Sequence, residues 1–225
     1  MKNYYQKKLS SNRLKQVYDL APARTRQYLD AELNHALNYI TAGDIVLDLG
    51  CGYGRQFPLL CKKAGFVVGI DSSAESLALG HEYLMEFSNF LLIRMNARKL
   101  LFPDESFNVV LCLQNGISAF HVDQKKLIRE AIRVTKRGGT VLFSSYFGKF
   151  WEDRLKWFQL QSEAGLLGKI DSEKTGNGNI VCEDGFTATT INEEKFKQLI
   201  QGVPGIHASM KEIDDSSLFL EISRW

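Results

Sequence analysis

The stretch Ile45-Val46-Leu47-Asp48-Leu49 is apolar but for one carboxylate, and it runs straight into Gly50-Cys51-Gly52-Tyr53-Gly54. A short apolar strand that breaks into a glycine-rich turn and then a helix constrains the fold more than any other feature of the chain. It is a strand–loop–helix unit of an open α/β sheet, and such sheets bind ligands beyond the carboxyl ends of their strands. Glycines let the backbone come close to a ligand and present N–H groups at the start of the helix, which favours an anionic group. The spacing rules out two common uses. A dinucleotide fingerprint requires Gly-x-Gly-x-x-Gly. Counted from Gly50 the third small residue falls on Arg55, and counted from Gly52 it falls on Phe57. No Gly-Lys-Ser or Gly-Lys-Thr occurs, so there is no phosphate loop of that type.

The same rhythm repeats. Phe66–Ile70 reads as a second strand closed by Asp71, and Ser72 or Ser73 can cap a helix running to about Phe87. Phe90–Met95 and Phe107–Leu113 are a third and fourth strand, the latter bounded by Gln114-Asn115-Gly116. Asp123 caps a helix to about Thr135, which Lys136-Arg137-Gly138-Gly139 would end, and Thr140–Ser145 is a fifth strand. Strands separated by helices predict a parallel sheet covered on both faces. The helix after the glycine loop is expected over about Arg55–Ala64. Before the first strand, residues 1–40 read as helical with a break at Pro22. Residues 146–190 depart from the pattern and look like an insertion, with Gly176-Asn177-Gly178-Asn179 as a turn between two short strand-like runs. Ile206–Ile213 and Leu218–Trp225 flank Asp214-Asp215-Ser216 as a hairpin, so the last strand should run antiparallel to its neighbour.

Composition narrows the class. Hydrophobic residues are 44% and charged residues 24%, which excludes a wholly disordered chain. With 28 Lys and Arg against 26 Asp and Glu, the net charge of +2 demands no nucleic-acid partner. Cysteines 51, 61, 112 and 182 contain no pair two residues apart, so no zinc knuckle or dithiol redox motif is present, and reduced thiols of a cytoplasmic protein are expected. The polar start, Met1-Lys2-Asn3-Tyr4-Tyr5-Gln6-Lys7-Lys8, has no apolar core, so no signal peptide is expected. No apolar window long enough for a membrane span occurs.

A carboxylate at the end of a second strand can accept hydrogen bonds from both hydroxyls of a ribose, which is how Asp71 reads beside the glycine loop; the alternative is a cap for the following helix. Asp48-Leu49-Gly50-Cys51-Gly52-Tyr53-Gly54 resembles the first motif of class I S-adenosylmethionine-dependent methyltransferases, in the small-molecule (methyltransferase-11/25-like) branch. Gly69-Ile70-Asp71-Ser72-Ser73 is similar to their second motif. Asn96-Ala97-Arg98 with Phe102-Pro103-Asp104-Glu105-Ser106-Phe107 is similar to their third, and Arg133–Gly139 resembles the stretch before their fifth strand. The resemblance spans about residues 20–146 and implies S-adenosyl-L-methionine as cofactor, with S-adenosyl-L-homocysteine as product. It implies an α/β, Rossmann-like, doubly wound seven-stranded sheet, mostly parallel with an antiparallel C-terminal hairpin strand. The whole chain, 1–225, is then one domain: a helical lid at 1–40, a cofactor-binding core at 41–145, an insertion or substrate cap at 146–190, and a C-terminal helix and hairpin at 191–225.

By the same resemblance Gly50, Cys51, Gly52 and Gly54 form the loop facing the methionine moiety. Asp48 orients that loop and favours the cationic amino group, Asp71 holds the ribose and Ser72 lies near the adenosine. Asn96, where the family commonly has Asp, accepts from the adenine amino group, and Ala97 contacts the ring. Leu113, Gln114 and Asn115 line the sulfonium side. Asn108 also departs from the family's usual Asp and reads as strand packing.

Methyl transfer from a sulfonium to N, O or S is an in-line displacement that depends on approach geometry and exclusion of water. No catalytic dyad or metal-ligand cluster is evident, and the acceptor reads as a small molecule. Tyr4, Tyr5, Tyr18, Arg24, Arg26 and Tyr28 could recognise a carboxylate or phosphate; the alternative is that the two arginines are solvated helix residues. Phe150, Trp151, Trp157 and Phe158 could box an aromatic or cationic acceptor, or pack the insertion onto the sheet. His121 could be a general base; His35 and His81 read as surface residues, and Cys51 as packing. Residues 1–28 show little apolar periodicity, so few core contacts are expected there. Amino-directed nucleic-acid enzymes carry an Asn/Asp/Ser-Pro-Pro-Tyr-type motif after strand four, and Gln114-Asn115-Gly116-Ile117 is not one. A protein or RNA methyltransferase, an aminopropyl transferase and a non-catalytic cofactor-binding module are the competing readings.

Overall fold

The protein is described from a computed structural model covering Tyr4 and residues 8–225. The helices α1 (Asn12–Asp19) and α2 (Ala23–Leu37) precede the sheet. They are separated where Pro22 takes extended backbone and caps α2. The alternating region then gives β1 (Ile45–Leu49), α3 (Phe57–Lys63), β2 (Phe66–Asp71), α4 (Ala74–Tyr83), β3 (Phe90–Arg94) and β4 (Phe107–Cys112). A short α5 (Gly116–Ala119), α6 (Gln124–Val134) and the long β5 (Thr135–Tyr146) follow. The insertion contributes α7 (Trp151–Glu163), β6 (Asn179–Val181) and β7 (Thr187–Thr189), and the chain closes with α8 (Glu193–Ile200), β8 (Ile206–Ile213) and β9 (Ser217–Arg224).

The seven-stranded sheet has the order β3-β2-β1-β4-β5-β9-β8. The first five strands in chain order are mutually parallel, β9 is antiparallel to β5, and β8 is antiparallel to β9. Successive strand residues point to opposite faces. Leu47, Leu49, Val110, Val141 and Phe143 therefore pack on α6 and α8 through Leu127, Ile128 and Phe196. Val46, Val109, Leu111 and Leu142 pack the other way, on α2 and α3 through Leu33, Ala36, Phe57 and Leu60.

Several boundaries differ from the sequence reading, each for a local reason. Gly54 to Gln56 is turn, and α3 starts at Phe57 with Pro58 in its first turn, where the missing N–H is harmless. α6 ends at Val134 because Thr135 joins β5 opposite Phe107, and its hydroxyl caps the Ala131 carbonyl at 2.7 Å. The basic Lys136–Gly139 run thus lies in β5, beside a register shift between Phe107 and Val109. Gly176–Asn179 is a turn, but the paired strands of the insertion are β6 and β7, joined through Cys182–Phe186. His35 is not a surface residue: it is buried against Phe219, with Nε2 2.7 Å from Glu221.

The N-terminal segment makes more apolar contact than its weak periodicity predicts, because its partners are supplied by the insertion. Leu9, Val17, Ala21 and Tyr28 form one buried cluster with Phe150, Trp157, Phe158 and Phe186. The indole N–H of Trp157 donates to the Val17 carbonyl at 2.9 Å, and Arg13 donates to the Gly165 carbonyl at 2.7 Å. Tyr4 and Lys8 both reach the Asp184 carboxylate, at 2.5 and 3.0 Å. Inside the insertion, the buried Arg154 guanidinium donates to Gly178, Ala188 and Thr190 at 2.6–3.0 Å and lies 4.2 Å from the centre of the Tyr146 ring. Arg154→Met keeps the bulk but leaves those acceptors dry, so urea denaturation should show a loss of about 3 kcal/mol.

Candidate functional site

The carboxyl ends of the parallel strands form one rim. Chain order reverses there between β1 and β4, since β2 and β3 continue to one side and β4 and β5 to the other, which opens a crevice. A cavity lies in that crevice, with the residues after β1, β2, β3 and β4 as its floor and α1 and α7 as its roof.

The glycine loop forms the first wall. Gly50 has φ +79°, and a Cβ there would stand 2.5 Å from the Phe120 ring. At Gly52, φ +58°, a Cβ would lie 2.9 Å from the Leu14 side chain. A side chain at either position would be strained and would fill the cavity's edge. The amides of Gly50 and Cys51 both donate to the Ile70 carbonyl at the end of β2, at 2.8 and 3.0 Å. Asp71 completes the tie: it accepts from the Gly52 amide at 3.0 Å and from the Ser73 amide at 2.7 Å. Burial raises its carboxyl, and these N–H groups, with that of Ser72, pull it back. Met95, Asn96 and Ala97 line the cavity beyond β3, where Asn96 accepts from the Arg98 amide at 2.9 Å.

The loop after β4 is held in an uncommon shape. Gln114 and Asn115 are consecutive left-handed residues, with φ of 52° and 60°. Each costs on the order of 1–2 kcal/mol in this conformation, so the surroundings must hold it. The buried Glu32 of α2 accepts from the Gln114 amide at 3.1 Å, and the Tyr18 hydroxyl donates to the Gln114 side chain at 2.7 Å. On the other side Ser145 donates to Asn115 at 2.8 Å, and Asn115 donates to the Thr189 carbonyl at 3.0 Å.

Two carboxylates here sit in low dielectric. Glu32 is fully buried, and desolvation pushes it up to about 7 against hydrogen bonds and the charge of Arg55. Asp48 rises to about 7 for the same main reason, with the charge of Asp71 adding and Arg55 opposing. The Cys51 thiol is driven well up by burial and by both aspartates, so it stays protonated and is no nucleophile at neutral pH. Arg55 lies 4.7 Å from the centre of the Tyr18 ring, and its Nε and Nη2 are buried with no hydrogen-bond partner among the described residues. The neighbouring Gln56 Oε1 is in the same condition.

Asp48, Gly50, Cys51, Gly52, Asp71, Ser72, Asn96, Ala97, Leu113 and Gln114 are brought together around this cavity. Gly54 is not among its walls: a Cβ there would meet Leu84 at 2.8 Å, so it serves helix packing. The Asn115 side chain is turned to Ser145 and Thr189. Of the acceptor candidates, Tyr18, Trp157 and Phe158 line the cavity, Tyr4 is hydrogen-bonded to Asp184, and Tyr5 lies outside the described residues. Arg24 instead pairs with Asp214 of the terminal hairpin at 2.6 Å, and Arg26 is exposed, 3.4 Å from the Asp19 carbonyl. Tyr28 and Phe150 stack on each other at 4.8 Å behind the wall, and Trp151 packs on the cap cluster. His121 faces a second cavity with Ser118, Thr187 and Asn192. Asn108 accepts from the Ile45 amide and from Lys136, both at 3.0 Å, pinning the starts of β1 and β5.

Residues unmarked by the sequence complete the chamber: Leu14, Arg55, Gln56, Phe120, Tyr146 and Gln161. Only Arg55 and Gln56 carried a signal, their place directly after the glycine loop. Glu32 was hidden because a single acid on a helix reads as solvated.

Comparison with known proteins gives a consistent family. The sequence profile of the family described as "Methyltransferase domain" matches residues 46–139. The ubiquinone biosynthesis O-methyltransferase of Pseudomonas fluorescens is 31% identical over 134 residues, which is 58% of this chain and 53% of that protein. The demethylmenaquinone methyltransferase of Tropheryma whipplei is 32% identical over 143 residues, 60% of this chain and 56% of that protein. The chain thus spans about half the length of the curated relatives it matches. The crystal structure of a methyltransferase from Aquifex aeolicus superposes with a TM-score of 0.60 at 15% identity, over 92% of this chain and 96% of that one, and shares the fold.

Because the raised carboxyls bind protons that the unfolded chain releases, stability from Glu32 and Asp48 is present in full below about pH 4. It is lost as pH rises through 7 and is flat above. Glu32→Gln keeps an acceptor for the Gln114 amide. Urea melts from pH 5 to 8 should show a shallower pH slope in this variant, by roughly 3 kcal/mol over the full range for this one group.

Proposed function

We propose that the chain, whose residues 46–139 match the family described as "Methyltransferase domain", is a class I S-adenosylmethionine-dependent methyltransferase that moves a methyl group from that cofactor to N, O or S of a small molecule enclosed beneath the cap. The observation carrying this reading is the continuity of the cavity. It runs from Ala97 and Asp71, past the glycine loop and Leu113, into a chamber walled by Tyr18, Tyr146, Trp157 and Phe158.

The walls suit the cofactor chemically. Asp71 would accept from both ribose hydroxyls while keeping Gly52 and Ser73 in place. Met95, Ala97 and Phe120 would flank a purine, and Asn96 would accept from its amino group. At Gly50 and Gly52 the missing Cβ lets Phe120 and Leu14, two further cavity-lining side chains, pack against the loop. The sulfonium supplies an activated methyl group, so the chain's own work is orientation and dryness. Leu113 and Gln114, fixed by Glu32 and Tyr18, would set the line of approach. The cap formed by α1 and α7 would exclude water. His121 lies in the other cavity and is given no role as base.

A roof joined to itself by Trp157–Val17 and Arg13–Gly165 hydrogen bonds encloses a compact acceptor better than a polymer strand. No helix among the described residues is long and apolar enough to cross a membrane. A binding module without turnover is the second reading, and the intact cofactor walls are common to both.

Incubation with labelled methyl donor and fractionated metabolite pools should yield S-adenosylhomocysteine in proportion to an added small-molecule fraction; cofactor binding with no demethylation in any fraction would sink the enzymatic reading. In calorimetry Asp71→Ala should weaken S-adenosylhomocysteine by about 2–4 kcal/mol. Unchanged affinity would reduce Asp71 to a helix cap.

A further inference from the structure

Two phenols join the buried Glu32 to the cavity. The Tyr28 hydroxyl, one turn earlier on α2, donates to the Glu32 carboxylate at 3.4 Å. The rings of Tyr28 and Tyr146 lie 5.5 Å apart, and a hydrogen bond with Tyr28 is among the contacts that ease ionisation of the Tyr146 hydroxyl. Tyr146, at the end of β5, lines the cavity together with Leu113, Tyr18 and Trp157. The order inward is therefore chamber, Tyr146, Tyr28, Glu32, with the last two fully buried.

The three groups suit the passing of a proton. Burial lifts Glu32 to about 7, so at neutral pH it is poised between its two forms. Burial also pushes Tyr146 up to about 12, against the charge of Arg154 and the bond with Tyr28. Such a hydroxyl does not ionise alone; it takes one proton as it gives up another. Arg55 faces Glu32 with a positive charge that lowers it. Tyr18 and Cys112 face it as well, and burial raises both, so neither titrates near neutrality.

We propose that Tyr146 is a catalytic residue that takes the proton shed by the methyl acceptor, and that Tyr28 passes it on to Glu32 as the final base. The assignment rests on the reading of the chamber as the place of methyl transfer. It serves an acceptor that carries a proton on the atom to be methylated, a hydroxyl above all, since a neutral hydroxyl is a weak nucleophile until its proton leaves. The acceptor oxygen bonds to the methyl carbon as the carbon–sulfur bond breaks, and the electron pair of that bond stays on sulfur. The acceptor proton passes to Tyr146, that of Tyr146 to Tyr28, and that of Tyr28 to the Glu32 carboxylate. One positive charge on sulfur and one negative charge on Glu32 vanish together, so no unpaired charge is left in a dry site.

The chain without ligand tests the acid first. Infrared difference spectra of wild type against Glu32→Gln should show a protonated carboxyl band that fades as pH rises through about 7 and is missing from the variant. Asp48 titrates in the same range but is common to both proteins and cancels. With labelled methyl donor and the most active small-molecule fraction, wild-type turnover should rise with pH along the same curve. Tyr28→Phe removes the middle hydroxyl and keeps the bond between Glu32 and the Gln114 amide. It should lower kcat about 100-fold, the low end of what a positioned base contributes, and flatten the pH profile. Its affinity for S-adenosylhomocysteine in calorimetry should be unchanged, and Tyr146→Phe should lose turnover and pH response in the same way. Circular dichroism establishes folding, and the two Phe variants, each lacking a single oxygen, carry the test should Glu32→Gln unfold. A Glu32 carboxyl that keeps one protonation state across neutral pH would overturn the proposal, as would Phe variants with wild-type turnover and pH profile. Turnover absent from every fraction would overturn the methyl-transfer reading, and the relay with it.

Discussion

The Glu32 carboxylate, buried beneath the sheet rim, fixes the centre of this molecule. It accepts the Gln114 amide and sits within reach of the Tyr28 and Ser217 hydroxyls, at 3.4 and 3.5 Å. One side chain of an N-terminal helix therefore touches the loop after β4 and the start of β9 together. Without an acceptor there, two successive left-handed residues would lose a partner that holds them, and Gln114 lines the cavity. A carboxylate in such a place is costly to ionise, which is why burial outweighs its hydrogen bonds and lifts it toward neutrality. The geometry of the site and the acid-base character of the fold thus share one group.

The alternating core was legible because its signals are local. Short, nearly continuous apolar strands, capping side chains at Ser73 and Asp123, and glycines forced into positive φ each act within a few residues. The cavity floor was legible for the same reason, since Asp48, Gly52 and Asp71 are set by strand ends. The roof was not. Arg24, Tyr28 and Phe150 have the chemistry of recognition, but Asp214 captures the first and the aromatic stack absorbs the other two. Nothing near Arg24 in the chain announces an aspartate 190 positions away. Trp157 and Phe158 face both ways, belonging to the cap's core and to the cavity wall. Whether an aromatic packs or recognises is decided by tertiary contact, which periodicity does not encode.

The roof is made of two segments separated in the chain by the five parallel strands of the sheet. Residues 8–19 and the insertion each lack a complete apolar face, and each supplies what the other needs. Their union also depends on polar ends: the Val17 carbonyl would be an orphan helix acceptor without Trp157. Asp184 similarly gathers Tyr4 and Lys8 onto the insertion's hairpin.

A chamber roofed this way has a kinetic character of its own. The wall that shields the reacting atoms is also the door, and it is latched by the indole of Trp157, the guanidinium of Arg13 and the carboxylate of Asp184. On the proposed reading, a bound molecule would pass these contacts on its way in and out, so its residence time would depend on the cap as well as on the cavity floor.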